Sequence, residues 1–304
     1  MRRLTPVHAY LCVLCAAVAH STDLGRPPRP RYATDMQLFD THCHVSYEDF
    51  DADRDEVLRR ARESGVAGIL NVGTDPDWWG RYLDLARTPR PEWPDVKVAL
   101  GFHPNYANTF TSDTLSALRR LFETHPGVAV AVGETGLDTF RDYCPFEVQE
   151  AAFQAQLDLA AELDLPFILH CRNEERRMLD RLAAHADRLA RPLRGVWHCF
   201  TASEAYMREA VALGLFLGIG GVATYPKAEE VRAAVRAAPR DRMILETDAP
   251  YLAPQKKRGK RNEPAYVAQT CERVAQELGM SAHALAELTS ENARRLFSTW
   301  PASR

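Results

Sequence analysis

Eight short apolar runs recur along the chain, at residues 37–43, 66–72, 96–102, 128–133, 166–170, 195–200, 215–220 and 243–247. They are rich in Val, Ile, Leu and Ala and mostly lack polar alternation, as strands buried on both faces do. Between them the spacing turns helical. Over residues 147–163, Val148, Ala152, Phe153, Leu157, Ala160 and Ala161 form one stripe. Pro145 and Pro226 stand where the first turn of a helix tolerates proline. Strands alternating with helices predict a parallel sheet, and eight repeats predict its closure into an α/β fold of the (β/α)8 or TIM-barrel type. Residues 263–297 predict two or three further helices.

Residues 1–35 do not share this pattern. Arg2 and Arg3 precede a run from Ala9 to Ala19, and Ala17-Val18-Ala19 fits a small-residue cleavage site, as in a secretory signal peptide. The competing reading is an extension ahead of the true start at Met36. The seven cysteines would leave an odd number after cleavage, which favours the second reading and a reduced, cytoplasmic protein; export is the alternative. Residues 36–304 then form one domain of about 270 residues, close to the roughly 250 typical of a single barrel. A net charge of −3 argues against coating long nucleic acid by electrostatics alone, though not against a small phosphate-capturing site. No run is apolar and long enough to span a bilayer, and no stable protein partner is expected.

The chemistry sits at the ends of the runs. The first ends in Asp40-Thr41-His42-Cys43-His44-Val45. On a strand, His42 and His44 share a face with Asp40, whereas Thr41, Cys43 and Val45 point the other way. The fourth run ends in Gly133-Glu134-Thr135-Gly136-Leu137-Asp138, the fifth in His170-Cys171-Arg172, the sixth in His198-Cys199-Phe200 and the eighth in Glu246-Thr247-Asp248-Ala249-Pro250-Tyr251. In a parallel barrel these ends ring one mouth. Four histidines and two carboxylates converging there suffice for two divalent ions, with Zn, Mn, Co or Mg compatible with the donor set. Two such ions offset by Glu134 and Asp248 leave a net +2, suited to an anionic substrate such as a phosphodiester. Cys43, Cys171 and Cys199 each follow a candidate ligand and should face the layer under the helices as small core residues.

In this order and spacing, together with Gly101-Phe102-His103-Pro104 and Arg261-Asn262-Glu263-Pro264, the motifs resemble those of the TatD family of metal-dependent deoxyribonucleases, within the amidohydrolase superfamily. The resemblance covers about residues 37–297. It implies a (β/α)8 barrel that hydrolyses DNA phosphodiesters, often from the 3′ end. It also implies that His42, His44 and Asp248 hold one metal, that His170 and His198 hold the other, and that Glu134 bridges them. Asp248 would orient or deprotonate the attacking water, His103 would contact the substrate phosphate, and Asp40 and Asp138 would orient ligands from behind. Thr135 stands where the family usually has Ile, and Asn173 where it often has Asp; neither is an implied ligand.

The runner-up is the same site used on an amide or ester, for example an acylated nucleotide or tRNA. A bridging carbamylated lysine would favour it, but the fourth run offers Glu134 and no lysine. A binding protein without catalysis is a third class, disfavoured because all six ligand-type residues are present. Arg172 has two readings, an ion pair or a phosphate contact. The loop at residues 255–261, with three of the chain's five lysines, is either a phosphate-backbone contact or a solvated loop. Phe102, Tyr106, Phe200 and Tyr251 are aromatics near the mouth that could stack a base or belong to the core.

Overall fold

Each of the eight apolar runs forms a strand in the computed structural model, which describes residues 36–300 other than 142 and 299. The leader expected at residues 1–35 lies outside the described residues. The strands are β1 (Leu38–Cys43), β2 (Val66–Gly73), β3 (Asp95–Leu100), β4 (Ala129–Asp138), β5 (Phe167–Arg172), β6 (Gly195–Trp197), β7 (Phe216–Ile219) and β8 (Met243–Leu245). They pair in parallel in sequence order, and a bridge from Cys43 to Ala249 joins β1 to the segment after β8. The helices are α1 (Arg54–Glu63), α2 (Trp79–Ala86), α3 (Ser112–Thr124), α4 (Phe146–Glu162), α5 (Glu175–Leu189), α6 (Glu204–Ala212), α7 (Glu229–Ala237), α8 (Val267–Glu277) and α9 (Ala282–Phe297). This is the expected (β/α)8 barrel with two helices after the last strand. None of the described helices is long and apolar enough to cross a membrane.

Apolar residues of the strands fill two layers. Phe39, Leu70, Val72, Ala99, Val130, Ile168, Val196, Phe216 and Ile244 form one buried cluster with Leu296, Phe297 and Trp300. This is the packed lumen of a barrel, capped by α9 at the end away from the histidines. The Phe39 and Trp300 rings are 4.6 Å apart. The other apolar residues, including Cys43 and Val45, pack in the layer that also holds the inner faces of the helices.

Strand ends differ from the apolar runs in ways that matter for function. β6 and β8 stop at Trp197 and Leu245, so His198 and Asp248 occupy turns just beyond them. Cys199 (φ 46°) and Asp248 (φ 59°) take left-handed conformations, which a strand cannot contain. β4 instead runs on through its polar motif to Asp138, because pairing with β5 continues from Thr135 opposite Leu169 to Asp138 opposite Arg172. Gly136 permits this. Its φ is 148°, and a Cβ there would lie 1.9 Å from the His170 carbonyl oxygen. Of the two prolines, Pro145 directly precedes α4, whereas Pro226 lies in the turn ahead of α7.

α4 carries two buried glutamines inside its apolar stripe. Gln156 accepts from Phe102 N at 2.8 Å and donates to Phe102 O at 3.1 Å and Thr135 Oγ1 at 2.6 Å. Gln149 accepts from Asp138 N at 2.9 Å and donates to Asp138 O at 3.1 Å. One helix thereby fixes the backbone beside His103 and at Asp138. Gln156→Leu keeps the volume but strands the Phe102 amide and carbonyl in the interior. We expect it to destabilise the fold by about 2–4 kcal/mol. Urea denaturation checks this; an unchanged midpoint would mean that these bonds are not holding the turn.

Candidate metal centre

The seam between β1 and the turn after β8 builds the first half of the site. Asp248 N donates to His42 O at 2.9 Å, and His44 N donates to Ala249 O at 2.7 Å. Asp40 accepts from Thr247 N at 2.9 Å and from Thr247 Oγ1 at 2.6 Å. Strand alternation puts Asp40 on the histidine face, but its side-chain bonds go to this seam and to the His42 amide rather than to an imidazole ring. It fixes the turn that leads to Asp248, and full burial pushes its carboxyl well above the usual range.

His42 and His44 meet Asp248 and one oxygen of Glu134. His42 Nε2 is 3.3 Å from His44 Nε2, 3.4 Å from Glu134 Oε2 and 3.8 Å from Asp248 Oδ1. His44 Nε2 is 3.8 Å from Glu134 Oε2 and 3.5 Å from Asp248 Oδ1. His44 Nδ1 donates to Val72 O at 2.7 Å, which turns Nε2 and its lone pair toward this group.

A second set gathers on the other oxygen of Glu134. His170 Nδ1 and His198 Nε2 are each 2.8 Å from Glu134 Oε1 and 3.4 Å from one another. His103 Nε2 is 3.7 Å from the same oxygen. On the far side of His170, Nε2 lies 3.1 Å from Asp138 Oδ2, so Asp138 orients that ring as expected. Donor atoms about 2.0–2.2 Å from a common ion stand about 3.3–3.6 Å apart in a tetrahedron. The spacings on the His42 side bracket that value, and the mixed imidazole and carboxylate donors suit a borderline divalent ion. The residues therefore fit metal, with Glu134 presenting one oxygen to each set.

The electrostatics follow from crowding. Burial alone would raise the Glu134 carboxyl, but the imidazoles of His198, His103 and His42 and the His170 hydrogen bond hold it well below the usual range. Burial opposes charging of His198 and His170, yet Glu134 raises His198 well above its ordinary value, and Asp138 and Glu134 raise His170. Burial and the neighbouring His198 lower His42. Burial and His170 push His103 down to about 3. Asp248, despite burial, is held low by its contact with His44 and by the other imidazoles.

The proposed phosphate contact, His103, has a defined tautomer. Its Nδ1 accepts from Asn105 N at 3.0 Å, so in the neutral ring the proton is on Nε2, the atom facing the centre. Sequence pattern assigns Glu246 no role, but the structure places it directly behind the candidate ligands. It is fully buried, its Oε1 accepts from Cys199 N at 2.5 Å, and it stands 3.6 Å from His198 Nδ1. Glu246 Oε2, His42 Nδ1 and His198 Nδ1 are buried without hydrogen-bond partners. Its presence in the eighth run was visible; that it turns inward was not.

The remaining candidates separate cleanly. Arg172 lies over the Phe140 ring at 3.5 Å, a cation–π contact that neither earlier reading anticipated. In the basic loop, Lys256 faces Glu272 at 3.6 Å, Lys257 and Arg258 lie over Tyr266 and Tyr225, and Arg261 pairs with Asp53 at 2.8 Å. These contacts commit most of the loop to the protein itself. Phe102 and Phe200 are core, 1% and 2% exposed, whereas Tyr106 and Tyr251 are 43% and 53% exposed.

Comparison with known proteins fits this geometry. The family model described as TatD related DNase matches residues 39–298. The metal-dependent hydrolase YabD of Bacillus subtilis is 36% identical over 260 residues, covering 86% of this chain and 98% of its own. The 3′-5′ ssDNA/RNA exonuclease TatD of Erwinia tasmaniensis is 39% identical over 267 residues, covering 86% of this chain and all of its own. Among solved structures, the TatD homolog YJJV from Escherichia coli K12 superposes with a TM-score of 0.79 at 33% identity, covering 87% of this chain and 98% of that one.

Asp138 supports the raised His170 through a direct hydrogen bond. In protein stripped of metal, Asp138→Asn removes that charge, and the His170 ring should titrate at lower pH than in the parent. Histidine NMR titration measures this, and an unchanged or higher value would show that Asp138 does not act on His170.

Proposed function

The chain belongs to the TatD-related DNase family, and from that premise we propose that it is a metal-dependent nuclease removing nucleotides from the 3′ end of single-stranded DNA or RNA. One observation carries the reading. Glu134 turns its two carboxylate oxygens toward two separate sets of donors, His42, His44 and Asp248 on one side and His170 and His198 on the other. β4 has no lysine, which removes support from the amide or ester alternative.

In this reading His42, His44 and Asp248 would hold one divalent ion and His170 and His198 a second, with Glu134 facing both sets. Zn, Mn, Co or Mg held there would supply Lewis acidity to the phosphodiester and would lower the pKa of a water toward neutral. The chain's own groups do the rest. Asp248, held low and therefore ionised at neutral pH, takes the proton of the attacking water on its carboxylate. His103, neutral and protonated on Nε2, donates to a non-bridging phosphate oxygen. It acts as a neutral donor to an anion and not as an imidazolium. Val72 O and Asp138 hold the His44 and His170 rings in their working orientations.

Three variants test the roles on an end-labelled oligonucleotide, with metal content measured alongside. Asp248→Asn should fold and lose turnover, because the amide cannot accept a proton. His103→Ala should lower kcat/KM by roughly a hundredfold with metal retained. Glu134→Ala should cost more and lose metal as well. Near-normal turnover by Asp248→Asn, or full activity after chelation, would overturn the assignment.

We also propose that the catalytic domain is residues 36–304, with residues 1–35 dispensable. The family match begins at residue 39 and β1 at Leu38, which supports this boundary. Expression from Met36 should yield a folded protein with the parent's activity; an insoluble or inactive product would place required residues in the leader.

A further inference from the structure

We propose that the cleft between Tyr251 and Tyr106, beside the metal centre, binds the terminal nucleobase of the substrate strand by stacking. This rests on the nuclease reading and specifies how that site takes hold of its substrate. The cleft has a volume of about 240 Å³ and is walled by Tyr47, Trp78, Tyr82, Tyr106 and Tyr251. That is below the roughly 300–1,000 Å³ of sites for drug-sized ligands, and suits one flat heterocycle. Large exposed apolar side chains are few among the described residues, and two of them, Tyr251 and Tyr106, line this one cleft.

Its position joins it to the chemistry. The Tyr47 ring stacks on the His44 imidazole, 4.7 Å between centroids and 7° from parallel. The Tyr251 ring is 6.3 Å from both His44 and Tyr47. Tyr106 is 6.1 Å from the His103 ring. The cleft is therefore one ring removed from a metal-ligand candidate on one side and from the phosphate donor on the other. A nucleotide whose phosphate lies between His103 and the ligands has its base, one sugar away, within reach of these tyrosines.

Charge selects the base over the backbone. Glu48, Asp49 and Asp75 line the cleft, and no lysine or arginine does. The nearby Arg81, behind Trp78, is paired with Asp51. Carboxylates repel phosphate, so an oligonucleotide enters with its uncharged aromatic part. Stacking on aromatic faces is tolerant of sequence, as an exonuclease requires.

The test uses the full chain and two oligonucleotides, one ending at its 3′ side in the fluorescent base 2-aminopurine and one in an abasic residue. Binding of the first to metal-stripped protein reads the stack without turnover. Emission should be quenched by the parent and by Tyr251→Phe, and much less by Tyr251→Ala and Tyr106→Ala. Because both tyrosines are exposed, the alanine variants should melt as the parent does. With metal restored, the parent should show a KM about tenfold higher for the abasic end than for an ordinary one, and that discrimination should collapse in the alanine variants. Equal quenching by parent and alanine variants, or equal KM for the two ends in the parent, would overturn the base site. If no phosphodiester is cleaved, the nuclease reading fails, while the quenching series still decides whether the cleft binds a base.

Discussion

The Glu134 carboxylate is the interaction on which the site depends. It is buried, yet held ionised by the imidazoles around it, with Oε1 at 2.8 Å from His170 and His198 and Oε2 at 3.4 Å from His42. An isolated buried carboxylate is too costly to keep. His42 and His170, on β1 and β5, and His103 and His198, in the turns beyond β3 and β6, offset that cost, and barrel closure brings them together. β1, β3, β5 and β6 each lead a histidine toward the one residue that β4 supplies.

Barrel closure and site assembly are the same event on one side. Bonds joining the end of β1 to the segment after β8 involve His42 O, Asp248 N, His44 N and Ala249 O. The backbone that completes the sheet thus carries two candidate ligands at one strand end and a third on the adjacent turn. Asp40 and Thr247 lock the seam from inside. Asp248 sits in a left-handed conformation that its short polar side chain tolerates better than most. A slip of the seam would separate the candidate ligands before it exposed much core.

The barrel and the convergence of six candidate ligands at its mouth were legible in the sequence because each signal was local. Unbroken apolar runs mark strands buried on both faces, and a ligand-type residue at the end of such a run has only one mouth to face. What escaped depends on contacts distant in sequence. Gln156 and Gln149 read as polar interruptions of a helical stripe, and only the turn at Phe102 and the end of β4 give them partners. Glu246 looked like part of a motif, and its burial against Cys199 N follows from the left-handed turn there. The alternation that assigned Asp40 to the histidine face ignored the register shift between Asp40 and Cys43 in the pairing of β1 with β2. Arg172 could not be placed because its partner, Phe140, belongs to the loop after β4.

The two sides of the mouth present opposite surfaces. Beyond β4 and β5 stand Arg141 and Arg172 with Phe140 and Tyr143, cationic and aromatic together. Beyond β1 to β3 lies the tyrosine cleft with its carboxylates. A nucleic-acid strand is likewise two-sided, with a charged backbone and neutral planar bases. Guanidinium groups held over aromatic rings attract phosphate while giving a base something to lie against, whereas an acidic aromatic cleft accepts a base and turns phosphate away. With the metal-type residues between them, the arrangement has a polarity, so that a chain end with a base beyond its last phosphodiester fits one way round. A net charge of −3 over the whole protein is compatible with this, because the attraction needed is confined to a few groups at the mouth.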